Sequence, residues 1–303
     1  MIAATCYWIL NMSIVASLMG LIVMLIRKIK FIPRRVSVFL WIIPFLRMVL
    51  PVGLNSPYSL MSVFSRLTRN VTVFKPADDI SFSFSNTIKA ADSYYPLTFK
   101  SNALGTVFTV TGFIWIVAML ALLIALALIY VSTKKAVADA VHFESNIYFS
   151  DKVDSPAVYG IIKPRIVIPE SFKGKDLGYI IRHEKTHIKR LDNLWRILGF
   201  ITASVHWFNP LSWVFLKAFL NDLELACDEM ALAGLEKDER KQYAMTLLES
   251  SQSKSILVSA FGGAKVRTRI ENVLSYKKMT AVSAVGFALL ILVIICTLIT
   301  NAG

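Results

Sequence analysis

Four stretches of this chain are long and apolar enough to cross a bilayer: Ile2 to Ile26, Val36 to Leu54, Leu104 to Val131 and Met279 to Thr300. A helix needs ~20 mostly apolar residues to span a hydrocarbon layer ~30 Å thick. None of the four contains Asp or Glu. With 55% hydrophobic and 17% charged residues, and the apolar ones gathered into runs, the chain cannot be a single soluble core. The second run carries Arg47 between Pro44 and Pro51. A basic group at mid-membrane is costly, so its head is expected to snorkel or to face the bundle.

Charge at the flanks sets the orientation. "RKIKFIPRR", between the first two runs, holds five basic residues and no acid; Lys134 and Lys135 follow the third run, and Lys277 and Lys278 precede the fourth. These flanks are expected on the cytoplasmic side. The first run has no charged leader and no small-residue cleavage site, so it reads as a retained anchor with the N-terminus outside. Residues 55–103 then face the exterior.

The net charge of +13 is not the mark of a nucleic-acid binder. Residues 132–278 carry 22 Lys and Arg against 17 Asp and Glu, and the basic turn alone supplies five more basic residues. Membrane topology and anionic lipid account for most of the surplus, and no direct nucleic-acid binding is expected. Three cysteines, Cys6, Cys227 and Cys296, form neither a disulfide framework nor a Cys-x-x-Cys knuckle.

Residues 132–278 are the one segment long enough for a compact domain. "NIYFS", "AVYGII" and "RIVIPE" read as antiparallel strands joined by tight turns. From Asp176, a candidate N-cap, apolar residues at 177, 180, 181, 188, 191, 194, 195 and 198 keep a helical period. Asn209-Pro210 breaks it, and a second helix is expected from about Leu211 to Gly234. The apolar run from Asn193 to Leu220 is not read as a fifth span. A crossing there would put the two helices' polar residues on opposite sides of the membrane, so internal packing or an interfacial helix pair is expected, with Trp195, Trp207 and Trp213 as anchors.

"RHEKTHIKRLDN" places His183 and His187 four apart on one helix face, with Glu184 at the flank. Two imidazoles at that spacing can share one cation. This is the H-E-x-x-H pattern, in which the histidines hold Zn²⁺ and the glutamate takes a proton from water and passes it to the leaving amine. A third ligand is the test. On the second helix "NDLELACDEMAL" presents Glu224 and Asp228 on one face. Antiparallel packing across the turn would bring Glu224 to the metal and leave Asp228 to hydrogen-bond a histidine's free N–H. His206 and Cys227 read as packed residues rather than ligands, because a catalytic zinc keeps its fourth position for water.

"HEKTH", "HWFNPLSW" and "ELACDE" at this spacing, preceded by "YGIIKPRIVIP", resemble the BlaR/MecR family of integral-membrane zinc metallopeptidases, which regulate β-lactam resistance in bacteria. The resemblance implies one Zn²⁺ per chain held by His183, His187 and Glu224, with Glu184 catalytic. The family's antibiotic sensors carry a penicillin-binding domain after the fourth span, and this sequence ends shortly after Thr300, so it reads as a sensor-less member. The resemblance also makes the bendable linker "VSAFGGAKVRTRIENVL" a candidate self-cleavage region at Ala260 and Phe261.

The expected fold is an α-helical membrane protein with four transmembrane helices and a cytoplasmic α+β zinc metallopeptidase domain of gluzincin type between the third and fourth. The expected layout is 1–54 for the first two helices and their basic turn, 55–103 for the outer loop, 104–131 for the third helix, 132–278 for the zinc domain and 279–303 for the fourth helix and a short tail. The expected activity is endopeptidase cleavage of a cytoplasmic regulator such as a transcriptional repressor, of the chain itself, or of both, at the bacterial cell membrane, with a homodimer left open. The alternative is a non-proteolytic membrane scaffold that retains the zinc fold. One strand before the metal helix could hold extended substrate along its edge or simply close a structural hairpin, and both readings stay open.

Overall fold

The computed structural model describes residues 2–29, 32–49, 55–56, 102–251, 266–276, 285–293 and 301–302. The outer segment 57–101, with its alternating "ISFSFSN", and the linker residues Ala260 and Phe261 lie outside them. In chain order the elements are α1 (Ile2–Ile26), α2 (Arg34–Val49), β1 (Asn55–Ser56) and α3 (Asn102–Ala136). Four strands follow: β2 (Val141–Glu144), β3 (Ile147–Ser150), β4 (Ala157–Tyr159) and β5 (Arg165–Pro169). Then come α4 (Gly178–Arg190), α5 (Asp192–Val205), α6 (Pro210–Ala231), α7 (Lys237–Ser251), α8 (Val266–Leu274), a helical segment at 285–293 and β6 (Asn301–Ala302).

Among the described residues two helices are long and apolar enough to cross a membrane, Trp8–Ile26 and Thr106–Ala136. Of the second expected span the described helix is Arg34–Val49, and of the fourth it is 285–293. Along α3 a series of apolar side chains, Val110, Phe113, Val117, Ile124 and Leu128 among them, stands exposed. A helix that is apolar on its open face is suited to lipid rather than water.

The sheet runs β2-β3-β5-β4. Antiparallel pairing of β4 with β5 agrees with the sequence reading, whereas β3 pairs with β5 in parallel, Ile147 opposite Ile166 and Phe149 opposite Ile168. The all-antiparallel expectation is therefore corrected. Strand β2, not anticipated, forms a hairpin with β3 and is exposed throughout. Ile147, Phe149, Ile166, Ile168, Phe172 and Ile180 form the small core on which α4 lies.

The single helix expected from Asp176 to about Phe200 is two. Leu191 adopts a left-handed conformation, φ 57°, between α4 and α5. For a residue with a Cβ that conformation costs about 1–2 kcal/mol, and it separates α5 from α4. Asp176 does accept from Gly178 N at 2.8 Å, at the start of α4.

Helices α5 and α6 pack as a hairpin against α1 and α2 rather than crossing alone. Met19, Val23, Leu40, Trp41, Phe215, Phe219 and Leu223 form one buried cluster. Close approach needs glycine here: a Cβ on Gly20 would stand 2.2 Å from the Phe215 ring. At the hairpin tip His206 Nε2 bonds Met48 O at 3.0 Å, and Asn209 Nδ2 donates to Ser13 and Ser17, each at 2.8 Å. His206 is thus a packed core residue, as its sequence context suggests. Trp213 Nε1 donates to Trp207 O, and Trp195 is exposed on α5.

The basic turn between α1 and α2 is bound to protein. Arg27 donates to both oxygens of Asp222 at 2.8 and 2.7 Å, and Trp41 Nε1 adds a bond at 2.9 Å. Glu229 accepts from the backbone N–H groups of Arg34 and Arg35 at the start of α2. Both acids belong to α6. Removing one partner of a buried pair costs about 3–5 kcal/mol, so Asp222→Ala is expected to lower stability by about 3 kcal/mol or more, read as a lower unfolding midpoint in detergent.

Candidate metal centre

Helices α4 and α6 are antiparallel and tied at both ends. Arg182 donates to Ala231 O and Ala233 O at the end of α6, and Arg190 Nη1 donates to Leu223 O at 3.0 Å. Capping the last carbonyls of a helix with a cation satisfies orphan acceptors and suits its dipole. The register that results sets His183 and His187 against Glu224, Cys227 and Asp228. All five are buried or nearly so.

The two Nε2 atoms stand 3.1 Å apart. Glu224 oxygens lie 3.9 Å from Nε2 of His183 and 3.8 Å from Nε2 of His187. On the far side, His187 Nδ1 meets Asp192 Oδ2 at 2.6 Å, and His183 Nδ1 meets the Tyr243 hydroxyl at 2.8 Å and Asp228 Oδ1 at 3.2 Å. A carboxylate only accepts, so the proton of each neutral ring belongs on Nδ1, which turns both Nε2 lone pairs toward each other. Two lone pairs at that distance are placed to share one cation. The residues fit Zn²⁺: ligands of one tetrahedral zinc at ~2.0–2.1 Å stand ~3.3 Å apart, near the separation of the two nitrogens.

The electrostatics favour positive charge at the same place. Burial pulls His187 down, but Cys227, Glu224 and Asp192 outweigh it and hold the imidazole at about 9. His183 is likewise held well above its ordinary range despite burial, chiefly by Cys227 and Asp228. Burial pushes Glu224 up, yet His187, Arg196, Arg269 and His183 bring it to about 2. Arg196 pairs with Glu224 directly.

Cys227 is near enough to the histidines to form a third donor, and ligand atoms of His183, His187 and Cys227 lie within 4.8 Å of one another. Its sulfur, however, sits 3.7 Å from Nδ1 of His183 and 3.5 Å from that residue's carbonyl, on the side already taken by Asp228 and Tyr243. The Nε2 side belongs to Glu224, and that set is the stronger one for a metal.

Glu184 is buried beside β4, where its charge, after burial, helps push the Tyr159 phenol up. Strand β4 is the sheet edge next to α4, and Asn193 Nδ2 already donates to Val158 O and Gly160 O along it. Two carbonyls of that edge are therefore engaged by the chain's own side chain. Asp192, Tyr243, Arg196 and Arg269 were not anticipated at the site. Only Asp192 had a usable signal, an acid five residues after His187, and it needs the turn at Leu191 to reach back.

An H-E-x-x-H helix packs antiparallel on an acidic second helix, beside a small mixed sheet and long apolar helices, an arrangement in keeping with a membrane-associated peptidase. The family model described as BlaR1 peptidase M56 matches residues 7–273, and the chain belongs to that family. Similar proteins include the methicillin resistance mecR1 protein of Staphylococcus aureus (strain Mu50 / ATCC 700699), 34% identical over 113 residues, which are 36% of this chain and 19% of that one. The regulatory protein BlaR1 of Bacillus licheniformis is 27% identical over 156 residues, 47% of this chain and 26% of its own length. BlaR1 of Staphylococcus aureus is 32% identical over 135 residues, 41% and 23% respectively. The matches thus span about a fifth to a quarter of these curated relatives.

Proposed function

We propose that this chain is a membrane zinc endopeptidase of regulated proteolysis, in which His183, His187 and Glu224 hold one Zn²⁺ and Glu184 moves the proton. The observation that carries the reading is the convergence of two Nε2 lone pairs and a buried carboxylate with both Nδ1 positions backed by acids. Bound zinc supplies Lewis acidity, activating water at neutral pH and polarising a peptide carbonyl. Asp192 and Asp228 hold the ring protons on Nδ1 and fix both rings. Glu184 takes the proton from water and delivers it to the leaving amine. A scaffold would have no use for Glu184, because that residue serves proton transfer and not metal affinity; its retention, buried beside the site, favours the enzyme.

The substrate is a cytoplasmic regulator, for which a transcriptional repressor is the leading candidate, or the chain itself in the linker region of Ala260 and Phe261, or both. Support for a signalling role comes from the names of the relatives, two of which are regulatory proteins. The bilayer is its other partner.

The proposed topology has four spans, with N-terminus outside and zinc domain 132–278 in the cytoplasm. Arg27 of the basic turn pairs with Asp222 of α6, and Val137, just after Lys134 and Lys135, is buried with Val153 and Val167 of the domain, whereas β1 and β6 pair with each other. In this arrangement α5 and α6 enter the membrane as a re-entrant hairpin. Its tip finds polar partners in Ser13, Ser17 and Met48 O, and Trp115 of α3 donates to Val205 O, as buried backbone and side-chain groups in lipid require. In a background without native cysteines, a cysteine at Asn70 is expected to react with an impermeant reagent on intact cells and one at Lys237 to stay unlabelled. The reverse pattern would invert the topology.

A further inference from the structure

Arg269 lies in the stretch that the sequence alone presents as a bendable linker, yet its side chain reaches the metal centre from α8. Its Nε donates to Asp228 Oδ2 and its Nη2 to Asp228 Oδ1, both at 2.8 Å. Nη2 also stands 3.1 Å from Nε2 of His183, and Nη1 is 3.6 Å from Glu224 Oε2. The arginine side chain is 16% exposed and that of Asp228 not at all. We propose that Arg269 is a positioning residue of the metal centre: through Asp228 it sets His183, and it makes metal affinity depend on α8 being docked.

A carboxylate with no exposure costs several kcal/mol to bury unless a cation and hydrogen bonds offset it. The Tyr243 hydroxyl, 2.8 Å from Oδ1, is a neutral donor and cannot replace the charge. Arg269 supplies it, and a two-pronged guanidinium also fixes the plane of the carboxylate. Oδ1, gripped by both Tyr243 and Arg269, is the oxygen that faces His183 Nδ1. The neighbouring Arg267 is different: its side chain is 90% exposed and, among the described residues, pairs along its own helix with Glu271.

Helix α8 is held by more than this contact. Val273 is buried with Ala231, Leu232, Tyr243 and Leu247 from the end of α6, the turn after it and α7. Arg269 therefore links the position of α8, and of the apolar helix that follows it in the chain, to one metal-holding histidine. Any event that shifts α8 pulls on Asp228 first. Removal of an outer partner of a metal ligand commonly costs ~10- to 100-fold in metal affinity.

This proposal rests on the zinc reading above, and the test separates the two. Full-length protein in detergent is titrated with Zn²⁺ against a chromophoric chelator, comparing wild type with Arg269→Met, Arg269→Lys and Arg267→Met. Arg269→Met is expected to bind zinc ~10- to 100-fold more weakly, with Arg269→Lys between it and wild type, because an ammonium keeps the charge and loses the fork. Arg267→Met should match wild type. Should Arg269→Met fail to fold, Arg269→Lys carries the comparison, together with hydrogen exchange in Asp228→Asn, whose α8 amides are expected to exchange faster than those of wild type. Equal affinity in the Arg269 variants, or unchanged exchange in α8, overturns the proposal while leaving the zinc site intact. Tighter binding in Arg269→Met overturns it in the opposite sense, making the guanidinium a competitor for the His183 lone pair. If wild type itself binds no zinc, the metallopeptidase reading fails and this inference with it.

Discussion

Glu184→Gln is expected to keep its metal and to cleave protein ~10²- to 10⁴-fold more slowly than wild type, the usual contribution of a positioned acid–base group. Glutamine preserves the size of the side chain but cannot carry a proton from water to an amine. Neither Nε2 atom nor a Glu224 oxygen depends on it. The sign of the two effects is therefore split. In membranes the variant should accumulate full-length chain wherever the wild type yields a fragment ending near Ala260, and it should fail on a cytoplasmic substrate that the wild type cuts. Wild-type rates in Glu184→Gln would remove Glu184 from the chemistry.

On the proposed zinc reading, replacing His183 or Glu224 should act on the metal itself. His183→Ala and Glu224→Ala are each expected to lose zinc by more than the ~10- to 100-fold typical of an outer partner, enough to leave the purified protein largely metal-free. His183 is the more sensitive position, because its removal also leaves Asp228 and Tyr243 facing a hole beside Arg269. Asp192→Asn should be milder, since it weakens the Nδ1 bond of His187 and leaves the nitrogen that faces the cation. Metal content by elemental analysis, normalised to protein, reads all three.

The grouping of the candidate site's residues was largely legible because it is local. His183, Glu184 and His187 share one turn of helix, and Glu224 and Asp228 share another, so helical spacing alone places each pair on a face. Antiparallel packing needed only the Asn209-Pro210 turn, where Asn209 caps α6 by accepting from Leu211 N at 3.0 Å. The turn at Leu191 was not legible. Leucine rarely adopts positive φ, and nothing in "KRLDN" marks it; the packing of α5 on α6, where a Cβ on Gly199 would stand 2.9 Å from Leu216, imposes the bend.

Long-range charge was the other hidden element. Arg27, Arg34 and Arg35 look like lipid-facing topology signals until Asp222 and Glu229, almost two hundred residues away, are seen to hold them. Arg269 looks like linker charge until α8 is placed. Strand order escaped for a similar reason: the parallel pairing of β3 with β5 is a non-local choice that β-branched composition does not announce.

The most direct test of the central claim is native mass spectrometry of the intact chain from membranes, because one spectrum reports both bound metal and cleavage. Wild type and Glu184→Gln are expected to carry one zinc each, His183→Ala none, and fragments of the chain or of an added cytoplasmic substrate should appear with wild type alone. Equal metal in wild type and His183→Ala, or equal cleavage by wild type and Glu184→Gln, would contradict the account.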